Sequence, residues 1–423
     1  MGAFLLLIIL ATPFLWIRFQ ITNPFGFLFS FFSIFFVSKY FHHIYSDSSF
    51  LEDISPDLIN EHLYAISIFL FFSYIVCYFL INNKNNKNNK NYINNSFKLN
   101  NISSIFAILI PLILFTLGII NGVNPIDNPL GFRQIIQSNG FYYLLSIEIY
   151  LLNVLSVYIV YQWFTFRKLP DTLFLLIYAY SFVFSIFSGF ASLSLIFIIL
   201  PLFFYNLCHG KRIEKYFLYA SPFVAIYVMI YSAYRDGNFS GGNISLYQSL
   251  LKVLDRDDLL LSIYNRFDYL EMHTKGQMFI SDGHVEPFYS LINLLYAPIP
   301  RFFFPDKPLN FSQIFTVNLL PQNFEIGVTA NFGALNEFSY NFGQFFGIVV
   351  GSIFLGCVLA VVYRFFLRSK NNPYTSIFYL SVIFPYFCSG IIAGFIHDLA
   401  LPMLILNLIY FNIFIKKIDL EKN

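Results

Sequence analysis

Eleven apolar stretches, all but the short first one near the length of a bilayer-crossing helix, constrain what this chain can fold into: residues 3–17, 24–41, 62–81, 102–121, 141–163, 172–188, 191–208, 216–233, 341–363, 374–395 and 399–415. A spanning helix needs about 20 apolar residues, and inside hydrocarbon each backbone N–H and C=O must be satisfied within the structure itself, which runs of this length achieve as helices. The pair across 172–208 is divided only by Gly189 and is read, by length, as two helices. Charged residues form 11% of the chain, against about 25% in soluble domains. The expected class is therefore all-α: a polytopic membrane helical bundle of about eleven transmembrane helices. The N-terminal MGAFLLLIILATPFLWIRF lacks a basic n-region and a clear small-residue cleavage site before Arg18, so it is expected to remain as the first helix.

Basic residues orient the bundle. With Lys416 and Lys417 in the cytoplasm, alternation brings Arg18, the lysines of 84–98, Arg167 and Lys168, Lys211, Arg212 and Lys215, and Arg364, Arg368 and Lys370 to the same side, as the positive-inside rule requires of short loops. The other side receives the segment from Asp47 to Glu61, the loop around Arg133, His397-Asp398, and the long polar stretch from Tyr234 to Ala330. An odd helix count leaves the N-terminus outside. The run NNKNNKNNKN at 82–91 cannot bury enough surface to fold and opens a disordered cytoplasmic linker over 82–101. The expected organisation is thus 1–233 with eight spans, 234–330 as one large external loop, and 331–423 with three spans.

Ionisable groups are costly in hydrocarbon, so the external loop is the natural home for chemistry. The four cysteines, Cys77, Cys208, Cys357 and Cys388, lie in or at the ends of apolar runs, which excludes a disulfide framework there. From Ser245 to about Phe279 apolar residues recur at the helical period, as expected of helices lying on the membrane surface. Arg266 and His273, seven residues apart, share one face of such a helix. GHVEP at 283–287 follows, then an apolar segment 288–297 too short to span, then APIPRFFFPDKP, whose prolines hold Arg301 in a stiff, extended run. Beyond the loop, Glu337 and Asn341 stand near the outer end of the ninth span. There a carboxylate can serve as a base, although a helix N-terminus favours Glu for dipole reasons alone. Glu148, a third of the way into the fifth span, is an ionisable residue within a span and therefore a functional candidate, with a paired structural role as the alternative.

The external Arg133 ahead of a span, the late external loop holding NRFDYLEM and PIPRFFFPDKP, and NEFSYNFG entering the next span together resemble the Wzy-type O-antigen polymerases, oligosaccharide repeat-unit polymerases of bacterial surface polysaccharide synthesis. The resemblance covers most of the chain from about Arg133 onward. The RX10G pattern of some members is absent, since Gly140 follows Arg133 and Gly276 follows Arg266. The resemblance implies a GT-C-like membrane glycosyltransferase of the bacterial inner membrane with its active site facing the periplasm. Its substrates would be undecaprenyl-diphosphate-linked oligosaccharides. The growing glycan would pass to the non-reducing end of a new lipid-linked unit with inversion at the anomeric carbon. Membrane lipid and a chain-length regulator are the implied partners, with no cofactor, metal or nucleic acid. Alternatives are an O-antigen ligase and a flippase of the same lipid-linked sugars.

That chemistry needs cations for the diphosphate and an acceptor for a hydroxyl proton. Arg suits the first because its planar fork binds phosphate bidentately, and Arg133, Arg235, Arg256, Arg266 and Arg301 all fall on the external side. For the base, the candidates in order are His284, Glu337, Asp268 and Glu286, with Glu148 and His273 as further site residues. His273, His284, Glu286 and Asp282 form no HExxH or DxD pattern, and no metal is expected.

Overall fold

The computed structural model describes residues 1–45, 54–82, 95–99, 101–138, 142–166, 172–187, 202–204, 206–207, 219, 222–224, 226–227, 229–231, 233–234, 246–254, 269–296, 299, 304, 306–321, 330–370, 373–395, 409, 412–413 and 415–419. Its helices in chain order are α1 (Gly2–Ala11), α2 (Pro24–Phe32, running on through a wide turn at Ser33–Val37 into Ser38–Tyr45), α3 (Pro56–Asn82) and α4 (Asn101–Ile120). Next come α5 (Pro129–Ser138), α6 (Tyr142–Phe166), α7 (Thr172–Phe187), α8 (Leu246–Leu254), α9 (Tyr269–Ser281) and α10 (Tyr289–Tyr296). The last are α11 (Phe311–Leu319), α12 (Gly333–Phe342), α13 (Gln344–Ser369) and α14 (Pro373–Phe378, continued by a wide turn at Tyr379–Ile383 into Phe384–Ile392). Five segments among the described residues are long and apolar enough to cross a membrane: Pro24–Ile44, Pro56–Asn82, Ile102–Ile120, Gln344–Ser369 and Thr375–Ile392. Shorter apolar helices cover Gly2–Leu15, Ile147–Ile159, Leu175–Phe187 and Pro222–Tyr231. The chain is a helical membrane protein. The stretches at 191–208 and 399–415 lie largely outside the described residues.

The most extensive packing joins α3 to α13. They run parallel: Ser352 Oγ on α13 donates to the Phe69 carbonyl of α3 at 3.0 Å, and further along both helices Arg364 donates to the Leu80 carbonyl at 2.5 Å. Small residues permit this approach, as they do between helices in lipid; a β-carbon at Gly356 would come within 2.8 Å of the Ser73 carbonyl oxygen. One end of the bundle thus gathers Leu80 and Arg364. The β1 strand (Asn95–Leu99) packs against the start of α14 and pairs antiparallel with β2 (Ile415–Asp419), Lys98 opposite Lys416. Two of the basic segments assigned to the cytoplasm therefore meet, and the C-terminal part of the linker expected over 82–101 is a paired strand; backbone hydrogen bonding to β2 supplies the order that its composition could not.

Two further expectations change. The ninth span, expected over 341–363, is the unbroken helix Gln344–Ser369; it starts there because Gly343 adopts φ 78°, a left-handed conformation that ends α12 and starts α13. The two helices fold back as a tight hairpin in which Gly347 lies against the Ser339 backbone. Of the helices expected on the membrane surface over 245–279, α8 and α9 are described, 255–268 lie outside the described residues, and α9 is not a surface helix. Leu270, His273, Thr274 and Gly276 of α9 are buried, and α9 packs on α3, on α12 and on the wide turn of α2. Helical periodicity reports an apolar face without saying whether lipid or protein covers it.

A smaller core built on Met272, Ile280, Phe311, Phe315, Phe332 and Tyr340 joins α9, α11 and α12. The capping box at the start of α11, with Asn310 Oδ1 accepting from Gln313 N at 2.7 Å and Gln313 Oε1 accepting from Asn310 N at 3.0 Å, fixes where that helix begins.

Candidate functional site

At the end of α3 and α13 away from the basic segments, three buried ionisable side chains come from distant parts of the chain: His62 of α3, His273 of α9 and Glu337 of α12. The His62 and His273 rings stand 6.0 Å apart at 71°, and the Phe36 ring meets His273 edge-on at 4.9 Å. His273 reaches this position because residue 333 is glycine. The Gly333 backbone has φ 81°, and a β-carbon there would fall 2.0 Å from His273 Cε1. Asn336 locks α12 to α9, its Nδ2 donating to the His273 carbonyl at 2.7 Å and to the Phe332 carbonyl at 2.8 Å.

Glu337 follows Gly333 by one helical turn and so continues the same face. It is fully buried, and its carboxylate lies against Gly394, where a β-carbon would approach Oε2 to 2.9 Å. The solvated helix terminus considered from sequence is thereby corrected: the break at Gly343 turns α12 inward, and Glu337 is a buried mid-helix residue. Burial drives the His273 imidazole down to about 3, the Ile392 backbone acting weakly in the opposite sense. His273 is consequently neutral at physiological pH, able to accept or donate a hydrogen bond but carrying no charge for a phosphate.

GHVEP caps α12. The Glu286 and Phe288 N–H groups donate to the Tyr340 and Asn341 carbonyls at 3.1 and 3.2 Å, which satisfies acceptors left open at a helix C-terminus. Glu286 is exposed, and its carboxylate, after burial, helps push the Tyr340 hydroxyl well above its ordinary value. His284 is exposed and stacks flat on Phe279, with centroids 4.1 Å apart and planes 8° apart. These two candidates therefore line the rim rather than the buried cluster.

No protein-family model, curated protein or solved structure matches this chain. Residue roles thus rest on geometry and on the chemistry of the side chains.

Arg133 sits half-buried on α5 beside the fully buried Phe132, and Glu148 is fully buried in α6; α5 and α6 pack on each other and on α4. Glu148 meets no hydrogen-bond partner among the described residues. Arg235, Arg256, Arg266, Asp268 and Arg301 lie outside the described residues. Among the described residues no three or more His, Cys, Asp or Glu side chains gather as a cation site. Sequence reasoning passed over His62, although an imidazole at the start of an apolar run carries the same signal that singled out Glu148. It also passed over Asn336, whose role appears only once α9 and α12 are side by side.

Proposed function

We propose that this chain is an O-antigen polymerase, an inverting, metal-independent glycosyltransferase of the bacterial inner membrane that joins undecaprenyl-diphosphate-linked repeat units at the periplasmic face. The reading takes the bundle as a GT-C-like scaffold of eleven spans. The observation that carries it is the burial of Glu337 one helical turn after Gly333, the residue on which the neutral His273 packs, at the end of a membrane bundle opposite its basic segments and next to the loop that the resemblance to Wzy-type polymerases singles out.

In this mechanism the Glu337 carboxylate takes the proton of the acceptor sugar hydroxyl as that oxygen attacks the anomeric carbon of the growing glycan. The bond from that carbon to the diphosphate oxygen breaks, and its electron pair leaves with the lipid diphosphate. A positioned base of this kind contributes about 10² to 10⁴ in rate. His273 orients the reacting hydroxyl by hydrogen bonding, and external arginines, Arg133 among them, neutralise the leaving diphosphate through bidentate contacts. Exclusion of water by the surrounding aromatic rings favours transfer to the sugar over hydrolysis.

Deletion of the gene tests the reading. Loss of long surface chains, with single lipid-linked units accumulating on the periplasmic side, is the expected phenotype. Long chains that persist but stay unattached to lipid A core would assign a ligase instead, and accumulation on the cytoplasmic side would assign a flippase.

A further inference from the structure

The α10 helix is built inside out relative to a helix that faces water. Its polar side chains point into the protein: Ser290 and Asn293 are buried, Asn293 Nδ2 donates to the Leu309 carbonyl at 2.5 Å, and Ser290 Oγ accepts from Asn341 Nδ2 at 2.8 Å. Its outer stripe is apolar. Leu291, Ile292 and Leu295 fall at the helical spacing of one face, with Ile292 55% and Leu295 75% exposed, and Phe288, just before the helix, is 53% exposed. A surface helix in water shows the reverse pattern.

Three N–H groups at the start of this helix are also satisfied without water. Phe288 N–H donates to the Asn341 carbonyl, Tyr289 N–H to the Glu286 carbonyl, and Ser290 N–H to Asn341 Oδ1 at 2.7 Å. A helix start whose donors face solvent needs no such provision, whereas one in hydrocarbon cannot exist without it. The apolar stripe is moreover continuous with a membrane span. Phe288 meets Phe342 edge-on at 5.4 Å, and beyond Gly343 the stripe passes to Phe345 and Phe346 of α13, which are 72% and 65% exposed.

We infer that residues 288–296 form a re-entrant segment whose Phe288, Leu291, Ile292 and Leu295 stripe lies among the acyl chains of the bilayer, so that the loop over 234–330 is held partly within the membrane. Eight helical residues rise about 12 Å, less than half of a hydrocarbon core about 30 Å thick, so the segment enters one leaflet and leaves by the same side. This placement is independent of the polymerase reading.

Tryptophan fluorescence tests it on the full chain in phosphatidylcholine and phosphatidylglycerol vesicles, with Trp16 and Trp163 replaced by Phe. Leu295→Trp, or Ile292→Trp where the first does not purify as a monodisperse species, is compared with Asp282→Trp, a water-facing position next to Gly283. Blue-shifted emission quenched severalfold more by brominated acyl chains than that of Asp282→Trp is the expected result. Emission as red and as weakly quenched as that of Asp282→Trp would overturn the inference. So would blue emission insensitive to brominated lipid together with Leu295→Cys cross-links between chains, which would assign the stripe to a second copy.

Discussion

His62 and His273, far apart in the chain, place their imidazole rings edge to face at 6.0 Å in a buried setting closed by Phe36 and Gly333. His273 is lowered from an ordinary 6.5 to about 3, so protonation is disfavoured in the folded state. Above about pH 6.5 neither the folded nor the unfolded chain protonates this residue, and it contributes no pH dependence. Between 6.5 and about 3 the unfolded chain binds a proton that the folded one refuses, and stability falls as pH falls, by ~1.4 kcal/mol per pH unit for one such group. Unfolding followed in lipid nanodiscs across this window should show that slope, and His273→Gln should reduce it by one proton's worth. An unchanged slope in the variant would contradict the assignment.

Glu337→Gln keeps the size of the side chain and removes the base. Polymer formation from purified lipid-linked units should drop by about 10² to 10⁴ while the protein remains expressed and monodisperse. His284→Ala and Glu286→Ala alter exposed rim residues and should leave more activity than Glu337→Gln. The reverse order would move the base back to the GHVEP loop.

Gly333→Ala confronts two penalties at once, a positive φ and a β-carbon 2.0 Å from His273 Cε1. Strain in the left-handed region alone costs about 1–2 kcal/mol, and the clash adds to it, so folded yield should fall sharply. Because the clash involves His273, the double variant Gly333→Ala/His273→Ala should recover part of the loss. Strict additivity of the two single changes would show that the ring and the glycine do not meet.

The β1–β2 pairing sets Lys98 opposite Lys416 at the end of the bundle where Arg364 meets Leu80, with His284 belonging to the other end. In a background free of the native cysteines, His284→Cys should react with a membrane-impermeant thiol reagent in intact spheroplasts. Lys98→Cys and Lys417→Cys should react only after the membrane is opened. Labelling of all three from outside would invert the topology.

Much of the architecture was legible as hydropathy. A run such as 62–81 or 102–121 has no alternative to a helix in lipid, because its backbone must bond to itself, and the structure places α3 and α4 on those runs. The break at Gly343 was harder to read, since NFGQFFG suits a helix entering the membrane as well as it suits a reversal. Only the close contact of Gly347 with the Ser339 backbone reveals the hairpin. His273 was singled out on a helix thought to face water or lipid, and that helix is buried between α3 and α12.

By itself, the amino-acid sequence determined that this is a helical membrane protein, with one polar stretch too rich in ionisable residues to lie wholly in hydrocarbon. Those properties follow from local composition and the solvation cost of charge, which act residue by residue. The tertiary structure alone decided that Glu337 turns inward, that His62 meets His273, and that α10 shows its apolar face outward. Each depends on which helix covers which face, and that choice is made by close packing between segments that lie far apart in the chain.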